Sequence, residues 1–385
     1  MFAKNFSKLV STTVIIQVVS FLIYPMITRN WAPADFGQFS LLISVGNILS
    51  IFSTGQFHVG AMVEPDLARS NSLIAAAKFF NLCSASIVAV VVLIVAPDPR
   101  WYLLPLFLFF YAAYEILRVQ TIRDKAINRL TGGQMISRIG ANLLKLVPGP
   151  SVFLICSEVI GNFSAALFLG KIRFKEIFVF QRPHFPLLKE FKKYPIFYSL
   201  NLGTQALTYE LPAILLGLQH ENYLIGIYGM CQRLLIQPLT VISNNVFTAI
   251  FSMPLSSEER TKKCVKIAIG AVSIGIVLKI CFVLFGNDLL GKFLGAKWSS
   301  GKEFFAIFSF ILITKVLGNM ALANYISSYR LETSTAIRLL QVACIVVSYF
   351  ICGEDKFLFF KVFVGIDMFF DITAFGISLR AVQTP

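Results

Sequence analysis

The sequence predicts an all-helical integral membrane protein with about twelve transmembrane helices in two six-helix halves. Three observations lead there. The mean hydropathy of the 385 residues is +0.74 and 56% of them are hydrophobic. Twelve apolar stretches approach the roughly 20 residues that a helix needs to cross a bilayer. A short series of motifs recurs in the same order in both halves of the chain, as in a duplicated bundle.

The apolar stretches define the predicted spans. The fifth span is weak because it carries Arg138 and Lys145, and the Pro-Gly-Pro turn at 148–150 is its main support. The eleventh is only about 15 residues long. Ten or eleven spans therefore remain open beside the twelve predicted, which are 8–28, 38–62, 72–96, 102–119, 131–149, 150–170, 194–216, 225–252, 264–286, 303–327, 338–352 and 357–380.

The basic residues are distributed unevenly between the predicted loops. Of the 34 Lys and Arg residues, 21 fall in loops on the N-terminal side of the membrane and 6 on the other side. Cytoplasmic loops carry such an excess, so both termini are expected in the cytoplasm. The net charge of +14 is thereby explained by topology, and no nucleic-acid-binding module is visible. Residues 1–7 lead into the first span without a signal-peptide cleavage site.

The longest polar stretch divides the chain into two lobes. We expect an N-terminal six-helix lobe at 1–170, a basic cytoplasmic linker at 171–193 and a C-terminal six-helix lobe at 194–385. Phe36-Gly37-Gln38-Phe39 is followed 189 residues later by Ile225-Gly226-Ile227-Tyr228. Pro25 and Pro212 lie 187 residues apart, and Trp101 and Trp298 lie 197 apart, so the halves repeat at nearly constant spacing.

Polar residues at helical spacing mark the first, second, seventh and eighth spans. Such residues share one helix face. In lipid that face needs partners or water, so the four stripes predict a hydrophilic cavity in a transporter of something polar. The alternative is that Ser and Thr hold the helices together. The amides expected to line the cavity are Gln17, Asn47, Asn201, Gln205, Gln237 and Asn244.

Charged residues within apolar stretches are the strongest functional candidates, because a charge at mid-membrane costs roughly 2.5–3.5 kcal/mol on insertion scales. Arg233 offers a planar fork that matches phosphate oxygens, or it pairs with Glu210 on the preceding span. Arg29 ends the first span, where it is either a ligand contact or an interfacial anchor beside Trp31.

A second cationic set and a set of carboxylates complete the candidates. Arg138, Lys145, Lys279 and Lys315 form the cationic set, although a Lys near a helix end also extends to the interface. Glu210, Asp367 and Asp371 are candidates for coupling to H⁺ or Na⁺. Glu115 and Glu158 are also intramembrane, and the alternative for these carboxylates is pairing with Lys361 or Lys145.

No pattern in the sequence predicts an enzyme. The three histidines are scattered without metal-ligand spacing, and there is no P-loop. The seven cysteines include no C-x-x-C and predict neither a disulfide nor zinc. We therefore expect no catalytic residue, no metal and no cofactor.

Three segments together resemble one family. The segment 24–39, with Pro25, Arg29 and Phe36-Gly37, resembles the start of the Wzx-type polysaccharide flippases of the multidrug/oligosaccharidyl-lipid/polysaccharide (MOP) exporter superfamily. The segment 225–239, with Arg233, looks like the eighth span of that family. Residues 293–298, ending in Trp298, resemble its turn before the tenth span.

The resemblance implies a MATE-like fold with a central cavity lined by spans one, two, seven and eight. It implies export of an undecaprenyl-diphosphate-linked oligosaccharide, an O-antigen or similar lipopolysaccharide repeat unit, from the cytoplasmic to the periplasmic leaflet of the bacterial inner membrane. Arg29 and Arg233 match family arginines and are expected to contact the diphosphate. The chain is somewhat short for the family, and its fifth and eleventh spans look compressed.

Other functions stay open. A MATE-like drug or cation antiporter would favour an acidic cavity. A polysaccharide polymerase of the same pathway would need a large charged periplasmic loop, and a scaffold for assembly enzymes would use the 171–193 linker. We expect a monomer that contacts membrane lipids and works with the polymerase and chain-length regulator of its pathway, without nucleic acid.

Overall fold

The computed structural model describes residues 2–96, 98–172, 177–178, 185–240, 257–327 and 331–383. The described residues are almost entirely helical, and none of them lies in a β-strand. This agrees with the all-helical class that the hydropathy pattern predicts.

The first half of the chain forms eight helices. A 3-10 turn, Pro99–Leu103, precedes α5, and a π-helical turn, Ile136–Gly140, joins α6 to α7. The helices are α1 (Phe2–Asn30), α2 (Pro33–Ser53), α3 (Phe57–Val63), α4 (Leu67–Val95), α5 (Leu104–Arg123), α6 (Ile127–Met135), α7 (Ala141–Leu144) and α8 (Val152–Leu169).

The second half forms eight more helices within the described residues. Two π-helical turns, Tyr194–Tyr198 and Gln232–Ile236, and a 3-10 turn, Ala296–Gly301, interrupt them. The helices are α9 (Phe185–Glu190), α10 (Ser199–Gly217), α11 (Asn222–Cys231), α12 (Ser257–Leu294), α13 (Lys302–Phe308), α14 (Ile311–Ser327), α15 (Leu331–Cys352) and α16 (Lys356–Gln383).

Within the described ranges, seven helices are long and apolar enough to cross a membrane, or eight if the bent pair α13–α14 counts as one span. The other predicted spans also coincide with helices. The span predicted at 131–149 is α6, the π-turn and α7, and the span at 264–286 is the central part of α12. The span at 225–252 is described only as far as residue 240.

Two predicted spans are broken. The helix expected at 38–62 ends at Ser53, because Gly55 and Gln56 adopt left-handed conformations with φ of 53° and 52°. Such residues cannot continue a right-handed helix. The helix expected at 303–327 is bent by 54° between α13 and α14. Lys279 Nζ donates to the Ala306 carbonyl (2.6 Å) and the Ser309 hydroxyl (2.9 Å), which satisfies polar groups at this bend.

The eleventh span was predicted too short. Helix α15 begins at Leu331 rather than at residue 338, and it has 22 residues. The sequence analysis counts Arg338 among the basic loop residues, at the start of the predicted span. The structure instead buries Arg338 inside α15, so this arginine does not belong to a loop.

The contacts of the chain define two compact units. The first comprises 1–17, 32–37 and 207–385, and the second comprises 18–31 and 38–206. The chain therefore changes unit within α1 and again near the start of α2. The predicted domains at 1–170 and 194–385 remain a prediction, and residues 173–176 and 179–184 of the 171–193 linker lie outside the described residues.

Small residues allow close helix packing in the second unit. Ala61, Ala76 and Ala77 are buried between α3, α4 and α5. Ala113, on α5, packs against Ala165 on α8 in the same way. Without a hydrophobic driving force between helices in lipid, such close contacts supply much of the association energy.

The first unit combines close packing with an aromatic cluster. A Cβ on Gly318 of α14 would lie 2.0 Å from Asp371 Oδ1 of α16, so the Asp371 carboxylate occupies the space that a side chain at position 318 would need. Nearby, Tyr228 of α11 packs against Phe308, Phe360 and Phe363, with ring centroids 5.3–6.1 Å apart.

Candidate functional site

The starts of α2 and α11 are in backbone contact. A Cβ on Gly37 would lie 1.7 Å from the carbonyl oxygen of Asn222, and a Cβ on Gly226 would lie 1.8 Å from that of Pro33. Only glycine leaves room for this approach. We call this contact the glycine crossing.

The glycine crossing is reciprocal with respect to the sequence repeat. Gly226 follows Gly37 by 189 residues, and Asn222 follows Pro33 by the same number. The contact between Gly37 and Asn222 is therefore repeated between their equivalents in the other half: Gly226 is equivalent to Gly37, and Pro33 is equivalent to Asn222. A pseudo-twofold axis relating the two segments produces this exchange, as a true twofold does in a symmetric dimer.

Arg233 lies close to the glycine crossing, on the continuation of α11. Its guanidinium lies over the Phe36 ring with its carbon 4.8 Å from the centroid, and Phe36 packs edge-on against Trp298 at 5.7 Å. The Nη1 group also donates to the Gly229 carbonyl at 3.4 Å. The three segments that carry the family resemblance, separated by up to about 270 residues, therefore meet around one arginine.

Arg233 and Arg138 both lie on π-helical turns. Arg233 belongs to Gln232–Ile236 in the first unit, and Arg138 belongs to Ile136–Gly140 in the second. A π-turn inserts an extra residue into an α-helix, weakens its hydrogen bonding and occurs often at functional sites. These two arginines thus share the same unusual local backbone.

Pro212 interrupts α10 opposite α11. Proline cannot donate the helical hydrogen bond and distorts the preceding turn. The carbonyl of Tyr209 in that turn accepts hydrogen bonds from the Tyr228 hydroxyl and from Gln232 Nε2, the latter at 2.6 Å. Side chains on α11 and its π-turn therefore hold the bent part of α10.

A network of buried charges lies between α14, α15 and α16. Lys315 Nζ is 3.1 Å from Asp367 Oδ2 and 3.5 Å from Asp371 Oδ2, and Arg338 Nη1 is 3.2 Å from Asp371 Oδ1. Gln341 Nε2 donates to Asp367 Oδ1 at 3.0 Å and Gln341 Oε1 accepts from Arg338 at 2.6 Å. All five side chains are buried.

This network is electrically neutral, with two cations and two carboxylates. Asp367 and Asp371 pair with Lys315 and Arg338 rather than with Lys361 or Lys145. Of the two lysines suggested by the sequence, Lys145 pairs with another intramembrane carboxylate, Glu158. Lys315 accordingly does not line a cavity as a free cation. It also lies 4.0 Å from the Tyr209 ring centroid, which shields the ammonium group further.

In the second unit, Lys145 is buried and paired. Its Nζ lies 2.5 Å from Glu158 Oε1 and 3.1 Å from Asn142 Oδ1. The Lys145 carbonyl accepts a 2.7 Å hydrogen bond from Trp31 Nε1, which fastens the end of α1 to the turn after α7. Trp31 is itself buried and is therefore not an interfacial anchor.

Arg138 differs from the other three members of the predicted cationic set. Lys145 and Lys315 are paired with carboxylates, and Lys279 is bound at the α13–α14 bend. Arg138 is exposed. Among the described residues, no carboxylate lies within ion-pair distance of its guanidinium. It interacts electrostatically at longer range with Tyr111, Tyr114 and Glu115 on α5 and with Glu158 on α8, so it faces neighbouring helices of its unit.

Arg118 adds a second accessible cation to this region. Its side chain is 38% exposed, its Nη2 lies 2.8 Å from Glu115 Oε2, and it also interacts electrostatically with Tyr111 and Tyr114. We call Tyr111, Tyr114, Glu115, Arg118 and Arg138 the arginine face of the second unit. It carries two positive charges and one negative charge.

The predicted amides occupy varied environments. Asn201 is buried, Gln17, Asn47 and Gln205 are half-buried, and Gln237 is exposed. Asn244 lies outside the described residues. Arg29 is exposed at the end of α1, Glu210 is half-buried on α10, and Arg233 retains only 8% exposure.

Sequence reasoning missed several residues of the site. Arg338 and Gln341 were read as ordinary residues, although they complete the buried network. Arg118 was counted as a loop residue. The repeat indicates that Gly37 and Gly226 occupy equivalent positions in the two halves. Nothing in the sequence shows that their segments are in contact.

The fold matches solved structures of membrane transporters over nearly the whole chain. A MOP superfamily transporter from Pyrococcus furiosus matches with a TM-score of 0.60 and 12% identity, over 99% of this chain and 97% of its own. It is described as having a binding pocket whose reverse polarity suggests a different function. An outward-facing multidrug resistance MATE family transporter matches with the same values.

A eukaryotic MATE transporter, AtDTX14, matches with a TM-score of 0.58 and 11% identity, over 99% of this chain and 97% of its own. No protein-family model matches the sequence, and no curated protein matches it. At such low identity the structural likeness establishes the fold alone. The chain therefore has the MATE-like membrane fold that the resemblance implied, whereas the Wzx subtype remains a prediction.

The glycine crossing predicts a large stability effect. Gly37→Ala or Gly226→Ala places a Cβ against a backbone carbonyl that has no free rotation, so the free energy of unfolding should fall by about 3 kcal/mol. Thermal unfolding of the purified protein in detergent measures this. Gly365→Ala is the control, because a Cβ there meets nothing within 4 Å. An equal effect of all three substitutions would contradict the close contact.

The buried network predicts strong coupling between its charges. Lys315→Met leaves two carboxylates with one cation and should cost about 3–5 kcal/mol of stability. Adding Asp367→Asn restores neutrality and should recover more than half of that loss. A double-mutant cycle on the melting temperatures tests this, and strictly additive effects would mean that the two side chains do not interact.

Proposed function

We propose that this protein is a flippase that moves an undecaprenyl-diphosphate-linked oligosaccharide, an O-antigen or similar surface polysaccharide repeat unit, from the cytoplasmic to the periplasmic leaflet. The MATE-like fold supports a membrane transporter. The observation that carries the choice of cargo is the exposed Arg138, which lacks a carboxylate partner among the described residues.

Charge balance favours an anionic cargo. Glu115 pairs with Arg118, Glu158 with Lys145, and Asp367 and Asp371 with Lys315 and Arg338. These carboxylates are therefore already matched by cations of the protein. Arg138 adds an accessible positive charge on the arginine face. An excess positive charge in an apolar helix is costly unless water or an anion compensates it.

The charge and polarity of the proposed cargo match this excess of positive charge. A diphosphate carries about two negative charges, and a glycan is rich in hydroxyl groups, so neither crosses hydrocarbon unaided. A guanidinium donates two parallel hydrogen bonds to phosphate oxygens. Tyrosine hydroxyls and amide groups replace the water around sugar hydroxyls. The lipid tail stays in the bilayer while the headgroup crosses by alternating access.

In this proposal the arginines have different roles. Arg138 and Arg118 receive the diphosphate on the arginine face of the second unit. Arg29, exposed at the end of α1, and Arg233, beside the glycine crossing, are further diphosphate contacts. Arg233 is stacked on Phe36 here, so its contact with cargo requires a conformation in which that stacking is loosened. Gln205 and Gln237 are proposed glycan contacts.

A MATE-like drug or cation antiporter is the second candidate. The matched structures are MATE and MOP transporters, which supports this candidate at least as well as the first. It would need an accessible carboxylate for a cationic cargo or coupling ion. Asp367 and Asp371 are fully buried beside Lys315 and Arg338, which occupy the positions where an external cation would bind. Coupling to H⁺ or Na⁺ through these residues or Glu210 stays a prediction.

Arg138→Gln should weaken cargo binding selectively. Losing a charge-assisted hydrogen bond costs about 1.5–3 kcal/mol, which is a tenfold to hundredfold increase in Kd. The measurement is a titration of purified protein in lipid nanodiscs with a short-chain polyprenyl-diphosphate oligosaccharide. Arg138→Lys should retain part of the affinity.

The control for this titration is Lys192→Gln, which removes one exposed positive charge of the same unit that is not a member of the arginine face. It should bind the cargo as the wild type does. Unchanged affinity in Arg138→Gln would remove Arg138 from the site. Binding of a lipophilic cation, with no binding of the diphosphate lipid, would establish the antiporter instead.

A further inference from the structure

A basic cavity lies at one membrane face of the second unit. It has a volume of about 180 Å³, well above the roughly 10–15 Å³ that one water needs. It lies where α4 and α6 begin and α5 and α8 end, and the excess of basic loop residues predicts this face to be cytoplasmic.

Three cations and one carboxylate line the cavity. Arg123, Arg129 and Lys171 contribute the positive charges, and Asp124 contributes the negative charge. Arg129 Nη2 pairs with Asp124 Oδ2 at 2.9 Å. The cavity therefore keeps an excess of two positive charges, and a bound anion would balance it.

Several hydrogen-bond donors at the cavity are unused. Arg129 Nε is buried without a hydrogen-bond partner among the described residues. Within the described part of the chain, the Lys171 side chain makes neither an ion pair nor a hydrogen bond. Arg123 uses one donor, from Nη1 to the Ala61 carbonyl at 2.5 Å. The amides of Gln120 and Asn71 also line the cavity.

The rest of the wall suits a ligand at a membrane surface. Ile74, Leu117 and Leu169 provide a buried apolar floor. Leu67, beside them, is exposed at the start of α4. Arginine and lysine side chains that lie beside an apolar surface at the cytoplasmic ends of helices bind the phosphate headgroups of lipids.

We propose that this cavity binds a phosphate ester, with the headgroup of an anionic phospholipid as the ligand that the apolar floor and the position at the membrane face favour. Arg129 and Lys171 are its principal phosphate contacts. The site is separate from the arginine face and does not depend on the proposed cargo. A bound lipid there would join α4, α5, α6 and α8 at one end of the unit.

The test uses the full-length protein purified in neutral detergent, titrated with short-chain phosphatidylglycerol, short-chain phosphatidylcholine or glycerol 3-phosphate. We expect phosphatidylglycerol to raise the melting temperature and phosphatidylcholine to leave it unchanged. Arg129→Gln combined with Lys171→Gln should raise the apparent Kd for phosphatidylglycerol at least tenfold. Lys192→Gln is the matched control and should not change it.

The outcomes separate the ligand sources. Equal stabilisation by glycerol 3-phosphate would assign the site to a soluble phosphate ester. Equal effects of phosphatidylglycerol and phosphatidylcholine on the wild type would overturn the proposal. This comparison needs no variant, so its result does not depend on whether a variant folds. Unchanged affinity in the folded double variant would overturn it as well. Arg138→Gln should keep the lipid response, which distinguishes this site from the proposed cargo site.

Discussion

The need to compensate every charge within the membrane shapes this molecule more than any other constraint. An unpaired charge in hydrocarbon raises the free energy of the folded protein, so such charges are rare and usually functional. Removing one partner of a buried ion pair is also strongly destabilising. Lys145 meets this constraint through Glu158, and Lys315 and Arg338 meet it through Asp367 and Asp371. These pairs also connect neighbouring helices. Once they are assigned, the accessible Arg138 stands out among the described residues, and this is why we propose that it contacts the cargo.

Backbone geometry places the remaining features. The glycine crossing brings α2 and α11 together, and this contact positions Phe36 under Arg233 and against Trp298. π-helical turns place Arg138 and Arg233 at local irregularities of their helices. Pro212 adds a bend whose freed carbonyl is held by Tyr228 and Gln232. Each irregularity lies beside a polar or charged group, as is usual where a membrane protein handles a polar ligand.

The class of fold could be predicted from the sequence because a transmembrane helix needs a whole segment of apolar residues, which is visible in the sequence. The same order of motifs in both halves added the prediction of a duplicated bundle. Apart from the pairing of Lys145 with an intramembrane carboxylate, the partners of the charged residues could not be predicted. Asp367 is separated from Lys315 by 52 residues and from Arg338 by 29, and periodicity on one helix says nothing about which neighbouring helix faces it. Arg338 was misplaced for the same reason, since its charge ends a span only when no buried carboxylate receives it. The break at Gly55 and Gln56 depends on left-handed backbone angles, which an apolar stretch does not reveal.

The central claim is that this protein carries an anionic lipid-linked glycan across the membrane. The most direct measurement is the leaflet distribution of undecaprenyl-linked glycans in cells lacking the gene. The account predicts complete repeat units trapped on the cytoplasmic side and released when the gene is restored, with the mass of the trapped glycan identifying the sugar. A normal distribution between the leaflets, in cells with no redundant flippase, would contradict it.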